Sequence, residues 1–471
     1  MPKIEITKTK KETAKKKILP VRKNADKNSL KSSKTGSATK LKKAIQNEKS
    51  YVDILSPPRG MRDILPADAS PRDKVIEVSR RIAEFYDFSE INTPVLEKAD
   101  LFTRSVGETT DIVGKEMYTL RTKGGDKLAL RPEGTAPVVR AYLQHGMRKL
   151  PQPQKLYYIG PFFRHERPQA GRYRQFWQVG FEIIGGESDP VYDAQIIVMF
   201  YRVLEELKTG PLMININSIG CRICRPGYRT KLLNYYKGKA VCKNCHERMK
   251  QNPMRLLDCK NEECRPFKQD APSVLDSLCS PCRVHLKSVL EYLEELGLPY
   301  LINSQLVRGL DYYNRTVFEI FPEGDDGMAL ASGGRYDYLA EMIGGRSTAA
   351  GGAAMGIERV AELIKGRNPK LFEPKIKQKI FLVHIGDLAK KKSLPLMEEF
   401  RKANLPIRTS FSRDSLSYQL EAADKNMSDI ALILGQKEVY EESIIIRNME
   451  TGVQETVPFA KVVDEVKKKV K

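Results

Sequence analysis

The sequence predicts an α+β protein. A large domain of mixed helix and strand is interrupted by a cysteine-rich insertion and followed by a smaller α/β domain. Three observations carry this reading. Alternating segments such as "KLYYIGPFFRHE" and "QFWQVGFEIIG" stand among helical ones such as "SPRDKVIEVSRRIAEFYDF". All eight cysteines fall between Cys221 and Cys282. Beyond the Lys/Pro-rich link "GRNPKLFEPKIKQK", short apolar strands alternate with amphipathic helices to the end of the chain.

Residues 1–50 carry 16 Lys/Arg against 4 Asp/Glu, a net +12 of the formal +21, which leaves +9 for the other 421 residues. With almost no large apolar side chains to fold around, this segment reads as a disordered basic arm. It is either a solubilising tail or a weak, sequence-independent attractor of RNA phosphates. A transit peptide would favour Arg, and the arm is Lys-rich. No apolar run approaches the roughly 20 residues that span a bilayer, and the N-terminus lacks the apolar core of a signal peptide. A cytoplasmic protein without membrane contact is expected.

Residues 51–210 form the first part of the large domain, with Ser70 and Pro71 expected to cap and open its first helix. Residues 211–300 are the insertion. Residues 301–370 return to strands and glycine-rich turns. Residues 378–471 are the α/β domain, in which "IFLVHI", "PIRTSF" and "IALILG" read as short buried strands before the hairpin "SIIIRNMETGVQETV" and a basic final helix.

The cysteines are spaced Cys221-x2-Cys224, Cys242-x2-Cys245, Cys259-x4-Cys264 and Cys279-x2-Cys282. The 17 residues between the first two pairs suit a four-thiolate zinc site. Eight ligands suit two ions, which the spacing does not pair. Disulfides fit poorly with an intracellular chain of this size. Closed all-thiolate sites leave no open position for catalysis, so one or two structural Zn²⁺ ions are expected.

In "QFWQVGFEII", Trp177, Val179, Phe181 and Ile183 fall on one strand face, and Phe176, Gln178, Gly180 and Glu182 on the other. The first set is an apolar underside, with the sole tryptophan on the core side. The second is a shelf with an aromatic ring, an amide, a glycine permitting close approach and a carboxylate. Arg164 and Glu166 share a face of the preceding strand, and the intervening loop supplies Arg172 and Arg174, whose planar forks match phosphate oxygens. A purely structural ion-pair network is the alternative. "LRPEGTAPVVRA" places Glu133 and Thr135 between a strand end and a helix. "LVRGLDYYNRTVFEI" sets Arg308 and the pair Tyr312 and Tyr313 before a strand. "ASGGRYDYL" and "GGAAMGIERV" add glycine-rich turns, with Arg359 entering a helix. Neither a Walker P-loop nor a Rossmann fingerprint occurs, which disfavours nucleotide binding of those kinds.

In order, these segments resemble histidyl-tRNA synthetase, a class II aminoacyl-tRNA synthetase. "TPVLEKADLF", "FRHERPQAGRYRQFWQVGFE" and "GGAAMGIERV" are similar to the class II motifs 1, 2 and 3, and "LVRGLDYY" and "ASGGRYD" to the two histidine-specific signatures. The resemblance runs from about residue 57 to the end; the basic arm lies outside it. It implies an antiparallel sheet flanked by helices, a dimer formed through motif 1, and a C-terminal anticodon-binding domain. The implied reaction joins histidine to ATP as histidyl-adenylate and transfers it to the terminal ribose of tRNA(His). By that resemblance Arg164 would hold the α-phosphate and Arg359 the γ-phosphate, with Glu166 and Arg172 also at ATP and Phe176 against adenine. Glu133, Thr135 and Gln178 would bind the α-amino group beside Gly134 and Tyr312, and Glu182 and Tyr313 the imidazole. Arg308 would stabilise charge as the carboxylate attacks, and Mg²⁺ would bridge phosphates. Gln169 and Arg174 are candidates for reading the tRNA acceptor end.

Polar recognition of the substrate side chain can reject analogues by roughly 10⁴–10⁵, so no hydrolytic editing activity is expected. Two non-catalytic readings compete. One is a regulatory subunit of ATP phosphoribosyltransferase, which would lack the anticodon domain. The other is a pseudo-synthetase that senses uncharged tRNA, normally embedded in a longer kinase chain.

Overall fold

In the computed structural model the described residues are 56–471, apart from 108–109, 169–170, 325–326, 370–371, 373–378 and 470–471. The basic arm expected over residues 1–50 therefore lies outside them. In chain order the strands of the large domain are β1 (Ser89–Glu90), β2 (Leu96–Lys98), β3 (Thr119–Arg121), β4 (Lys127–Leu130), β5 (Gln154–Phe163) and β6 (Gln175–Ile184). They continue with β7 (Leu212–Ser218), β8 (Tyr300–Ile302), β9 (Asn314–Pro322), β10 (Ala331–Arg335) and β11 (Ala350–Gly356). The main helices are α1 (Pro66–Phe85), α2 (Ala99–Val106), α3 (Thr135–Gln144), α4 (Pro190–Glu206), α5 (Arg225–Tyr236), α6 (Lys243–Gln251), α7 (Ser280–Glu295) and α8 (Ile357–Arg367).

Eight strands form one sheet in the order β1-β5-β6-β11-β10-β9-β7-β8. Its six central strands are antiparallel, and the short edge strands β1 and β8 run parallel to their neighbours. The alternation expected of β6 holds. Phe181 faces the helical layer, its ring 4.6 Å from that of Phe200 on α4. Glu182 faces the opposite side, with Thr135 at the start of α3. Trp177 is half-buried on the helical side, under the Arg72 guanidinium at 4.2 Å, and its N–H donates to both oxygens of Glu358. The ring thus seats α1 on the sheet, and the backbone N–H of the same residue holds the start of α8. A second sheet, β2-β4-β3, lies beside α2.

Local details differ from the sequence reading. The first helix begins at Pro66, with the N–H groups of Asp68 and Ala69 donating to Leu65 O at 2.8 and 3.1 Å. Pro66, which has no N–H to leave unpaired, opens the helix, and Ser70 and Pro71 sit inside it. The preceding strand ends at Phe163, so Arg164 and Glu166 belong to the start of the loop. The glycine-rich segments expected as turns are the central strands β10 and β11. A Cβ at Gly333 would overlap Gly352 O and Ala353, so glycine marks close backbone approach there.

The C-terminal sheet has the order β13 (Ile407–Thr409), β12 (Ile380–His384), β14 (Ile430–Leu434), β15 (Ser443–Asn448), β16 (Gln454–Pro458). Its first three strands are parallel, as strand–helix–strand units require, and the predicted hairpin supplies the last two. β12 and β14 are fully buried; β13 is an edge strand and only half so, although its sequence reads as buried.

Beneath the large sheet lies a buried polar knot. Asp193 on α4 accepts from Arg335 Nε at 3.0 Å and pairs with His285 Nε2 on α7 at 2.7 Å. Arg335 also reaches Asp337 at 3.1 Å, and Asp337 is bonded to Asn314 at 2.8 Å. Burial works against the Asp193 charge, but Arg335 and His285 prevail and hold its pKa down at about 2. Replacing Asp193 by Ala strands a buried guanidinium, and thermal or urea unfolding should show a loss of about 3–5 kcal/mol. The double variant Asp193→Ala/Arg335→Met should recover part of that loss, because the buried guanidinium leaves with its main partner and Asp337 keeps its hydrogen bond to Asn314.

Candidate active site

A cleft of about 1460 Å³ opens over the shelf face of β5, β6, β11, β10 and β9. Its floor is Phe176 and Gln178, as the alternation of β6 requires. Three chemically distinct zones surround them.

The first zone is a polar pocket built of tyrosines and carboxylates. Glu133, 4% exposed, accepts the N–H groups of Thr135 and Ala136 at 2.7 and 3.0 Å, closing the N-terminus of α3. Burial nevertheless raises its pKa, despite those bonds. Tyr312 points its hydroxyl at Glu133 from 3.4 Å, and the Tyr313 ring lies 4.7 Å from that of Tyr312. The Tyr158 ring fills space left by Gly134 and Gly180, at both of which a Cβ would overlap it. Glu182 lies one layer deeper and is fully buried, with one oxygen accepting from Thr135 Oγ1 at 2.7 Å and the other from the Tyr336 hydroxyl. On the neighbouring strand a Cβ at Gly352 would overlap this carboxylate, so glycine there is the condition for Glu182 lying flat. Burial drives the Glu182 pKa up to about 8, outweighing the Tyr336 and Thr135 hydrogen bonds.

The second zone belongs to Arg308. Its guanidinium pairs with Glu319, donates to Ser332 Oγ at 2.8 Å, and lies 5.8 Å from the Tyr313 ring. Glu319 and Ser332 are cross-strand partners on β9 and β10 and face the cleft together. Burial opposes the Arg308 charge, but Glu319 together with Tyr313, Tyr312 and Asp258 more than offsets it and raises the pKa.

The third zone is cationic. Arg164 donates through Nε to Pro132 O at 2.9 Å and lies 5.5 Å from the Phe176 ring. Arg172 stands 3.5 Å from Glu166. Arg359, in the first turn of α8, donates to Ala329 O. Burial first, and then the proximity of Arg172, lowers its pKa. Such a cluster can receive a polyanion.

Of the two residues expected to read an acceptor end, Gln169 lies outside the described residues. Arg174 turns to its own loop, donating to Glu166 O at 3.3 Å and Arg59 O at 3.2 Å, and is not among the residues lining the cleft. The sequence reading missed Tyr336, Tyr158, Glu319 and Ser332. The last two had a signal, since alternation in "VFEI" and "ASGG" places a carboxylate and a hydroxyl on the same side. Tyr158 had none, because the space for its ring is left by Gly134 and Gly180, and Tyr336 had none, because its hydroxyl answers a carboxylate on another strand.

The cysteines form two tetrads, Cys221/Cys224/Cys279/Cys282 and Cys242/Cys245/Cys259/Cys264. The pairing is nested: the outer CxxC pairs join each other, so the 17-residue spacing between the first two pairs does not mark one site. In the outer tetrad Cys221 Sγ lies 3.7 Å from Cys224 Sγ and 3.8 Å from Cys279 Sγ, and Cys224 lies 3.8 Å from Cys282. In the inner tetrad Cys242 lies 3.8 Å from Cys259, and Cys264 3.9 Å from Cys245. A disulfide needs about 2.05 Å. A tetrahedral ion with Zn–S bonds of about 2.3 Å places its sulfurs about 3.8 Å apart. The residues therefore fit two single tetrahedral ions. Cys242 and Cys259 line the cleft.

The family model described as histidyl-tRNA synthetase matches residues 60–360, and that described as anticodon binding domain matches residues 379–469. Histidine–tRNA ligase of Dehalococcoides mccartyi is 45% identical over 420 residues, 88% of this chain and 99% of its own. Histidine–tRNA ligase of Aquifex aeolicus is 44% identical over 404 residues, 85% of this chain and 98% of its own. Among solved structures, the apo histidyl-tRNA synthetase of S. aureus superposes with a TM-score of 0.71 at 32% identity, covering 88% of this chain and 99% of its own.

Two outcomes test the site chemistry. A Glu182 pKa near 8 in the folded state, against about 4.5 unfolded, means the empty protein binds a proton more tightly than the unfolded chain. That stability is fully present below about pH 4.5 and is lost as pH rises through about 8. Thermal melts of the substrate-free protein should fall by the equivalent of a few kcal/mol over that window, and Glu182→Gln should flatten the fall. Elemental analysis should return two zinc ions per chain, and Cys264→Ser should release one of them while the outer tetrad keeps its own.

Proposed function

The chain belongs to the histidyl-tRNA synthetase family, and from that premise we infer that it is a histidine–tRNA ligase of class II, activating histidine with ATP and charging tRNA(His). The observation that carries the mechanism is the convergence of Arg164, Arg172, Arg359 and Arg308 on one cleft whose floor is Phe176 and Gln178.

Adenine stacks on Phe176, and the triphosphate lies along the third zone, its α-phosphate at Arg164 and its γ-phosphate at Arg359. Arg172 and Glu166 complete the ATP contacts. The α-amino group of histidine is received by Glu133, Thr135 and Gln178, beside Gly134 and Tyr312. The imidazole points toward Tyr313 and Glu182, exchanging an imidazole N–H for the Thr135 hydroxyl on the Glu182 carboxylate. The histidine carboxylate attacks the α-phosphorus and pyrophosphate leaves. Arg308, already aligned by Glu319 and Ser332, stabilises the charge that develops at the α-phosphate without moving a proton. Mg²⁺ bound with ATP supplies further neutralisation of phosphate charge. Histidyl transfer to the terminal ribose follows, with Gln169 and Arg174 kept as candidates for reading the acceptor end and residues 378–471 binding the anticodon.

The two thiolate tetrads hold structural zinc. The protein acts as a cytoplasmic homodimer through the motif 1 region, a reading supported by the exposure of Leu96 and Leu120 on the β2-β4-β3 sheet. Among the described residues no helix is long and apolar enough to cross a membrane. The match to an anticodon-binding model disfavours the regulatory-subunit reading.

ATP–pyrophosphate exchange run separately with each of the twenty amino acids should respond to histidine alone. Arg308→Ala should lower the exchange rate by about 10²–10³ with histidine binding retained. Exchange with none, in folded and zinc-loaded protein, would move the reading to a binding or regulatory paralogue. Misacylated tRNA(His) should persist in the enzyme's presence, since polar recognition alone suffices for fidelity.

A further inference from the structure

The loop 306–313, which carries Arg308, Tyr312 and Tyr313, is tied to the sheet at Leu306 O, which accepts from Asn217 Nδ2 at 2.9 Å, and by Arg308 to Glu319 and Ser332, while Asp311 N–H donates to Val106 O at 3.2 Å. Its remaining length is gripped by the cysteine-rich insertion at three points. Arg225, the residue after the outer-tetrad ligand Cys224, donates to Tyr313 O and, through Nε, to Ile219 O at 3.1 Å. Asn252 Nδ2 donates to Asp311 Oδ1 at 2.9 Å, and Arg255 donates to Gly309 O at 3.4 Å. Asn252 and Arg255 belong to the segment between the inner-tetrad ligands Cys245 and Cys259, and residues 253–257 of that segment are buried.

The same segment reaches across the cleft mouth. Arg248 and Arg255 both approach Asp111, at 3.2 and 3.9 Å, in the stretch that follows α2. Asp311 itself is wedged against Gly107, which sits at φ +100°, so a side chain there would meet the carboxylate.

We propose that the insertion is the positioning device of the adenylation loop: Arg225, Asn252 and Arg255, placed by the two thiolate tetrads, fix residues 306–313, so that metal occupancy governs where Arg308 and Tyr313 stand. The three grips are short-range consequences of the tetrads. Arg225 is set by the knuckle that Cys221 and Cys224 form, and the 253–258 turn runs directly into the inner-tetrad cysteine Cys259 and follows the helix that carries Cys245. A displacement of the loop by about 1 Å would misplace Arg308 against the α-phosphate, which is enough to lower the chemical step about 100-fold. The inference rests on the assignment of Arg308 to adenylation, and its first readout is therefore independent of activity.

That readout is hydrogen exchange by mass spectrometry on the full-length, zinc-loaded dimer or monomer as purified, comparing wild type with Arg225→Met/Asn252→Ala. Loss of two hydrogen bonds should speed exchange in 306–313 by about tenfold, with 175–184 unchanged and two zinc ions retained. In pyrophosphate exchange the same variant should lose about 100-fold in kcat, with KM for ATP within about threefold. Arg225→Lys should recover part of the loss, since an ammonium still reaches the Tyr313 carbonyl. Unchanged exchange in 306–313 overturns the proposal whatever the activity, and so does faster exchange with kcat unaltered. Should the double variant not fold, chelator titration of wild type replaces it. Protection of 306–313 should then fall as zinc leaves while 175–184 stays protected, and protection that persists after both ions are gone overturns the proposal. A wild type with no histidine-dependent exchange would sink the functional reading instead and leave the hydrogen-exchange comparison intact.

Discussion

The pair of Arg335 with Asp193 is the constraint on which the rest of the site depends. Both side chains are 2% exposed, so their attraction acts in a low dielectric where an unpaired partner would be very costly. Arg335 ends β10, and alternation sends its neighbours the other way. With Arg335 tied to the helical layer, Tyr336 is presented to Glu182, while Ser332, earlier on the same strand, meets Arg308. The knot also reaches the insertion: His285, bonded to Asp193, stands on the helix whose first turn carries the outer-tetrad ligand Cys282. One ion pair thus links the helical layer, the carboxylate under the pocket, the arginine above it and the base of the metal module.

Glycine performs the complementary task on the same sheet. Side chains as large as Tyr158 and as polar as Glu182 can lie flat over β6 and β11 only because Gly134, Gly180 and Gly352 leave room. The electrostatic plan follows from this packing. Carboxylates are pushed toward the neutral state deep in the pocket, where Glu133 and Glu182 sit behind tyrosines. Guanidinium charge is concentrated toward the opening, where Arg164, Arg172 and Arg359 have few carboxylates to answer them. A zwitterionic amino acid with a polar ring fits the first region and a polyphosphate the second. The two meet at Arg308, whose own pair with Glu319 orients the fork.

Much of this was legible in the chain. Period-two alternation in "QFWQVGFEII" separated the shelf from the underside, and the motif segments placed Glu133, Thr135, Arg308 and Arg359 beside the same ligand-sized space. The α/β pattern of residues 378–471 gave its strands and hairpin in the right order. The failures have physical causes. "ASGGRYD" and "GGAAMG" read as turns because glycine weakens a strand, yet here glycine is selected by contacts from other strands, which no local pattern contains. Trp177 does stand on the core side that parity predicts, packed against the core, with the Arg72 guanidinium over its ring. Pro71 suggested a helix start, but Pro66 satisfies the same preference a turn and a half earlier. Glu182 stood on the predicted face, and its depth beneath the cleft came from Thr135 and Tyr336, two residues distant in sequence.

Nesting of the cysteine tetrads shows why spacing alone misleads in such a module. Consecutive pairs are the natural guess because short loops cost less entropy to close, yet that cost grows only slowly, by about 0.6 kcal/mol for each doubling of loop length. A tetrad joining Cys221 and Cys224 to Cys279 and Cys282 is therefore little dearer than a sequential one, and it does something a sequential one cannot. It clamps the point where the chain leaves β7 to the point where α7 returns toward β8, so the insertion is closed at its base against the sheet. The inner tetrad is then free to shape the part that faces the cleft, with Cys242 and Cys259 on the cleft wall. Sequential pairing would have made two beads on a hinge. Nested pairing makes one bracket whose foot and tip are both fixed, and its tip is the part that holds the loop bearing Arg308.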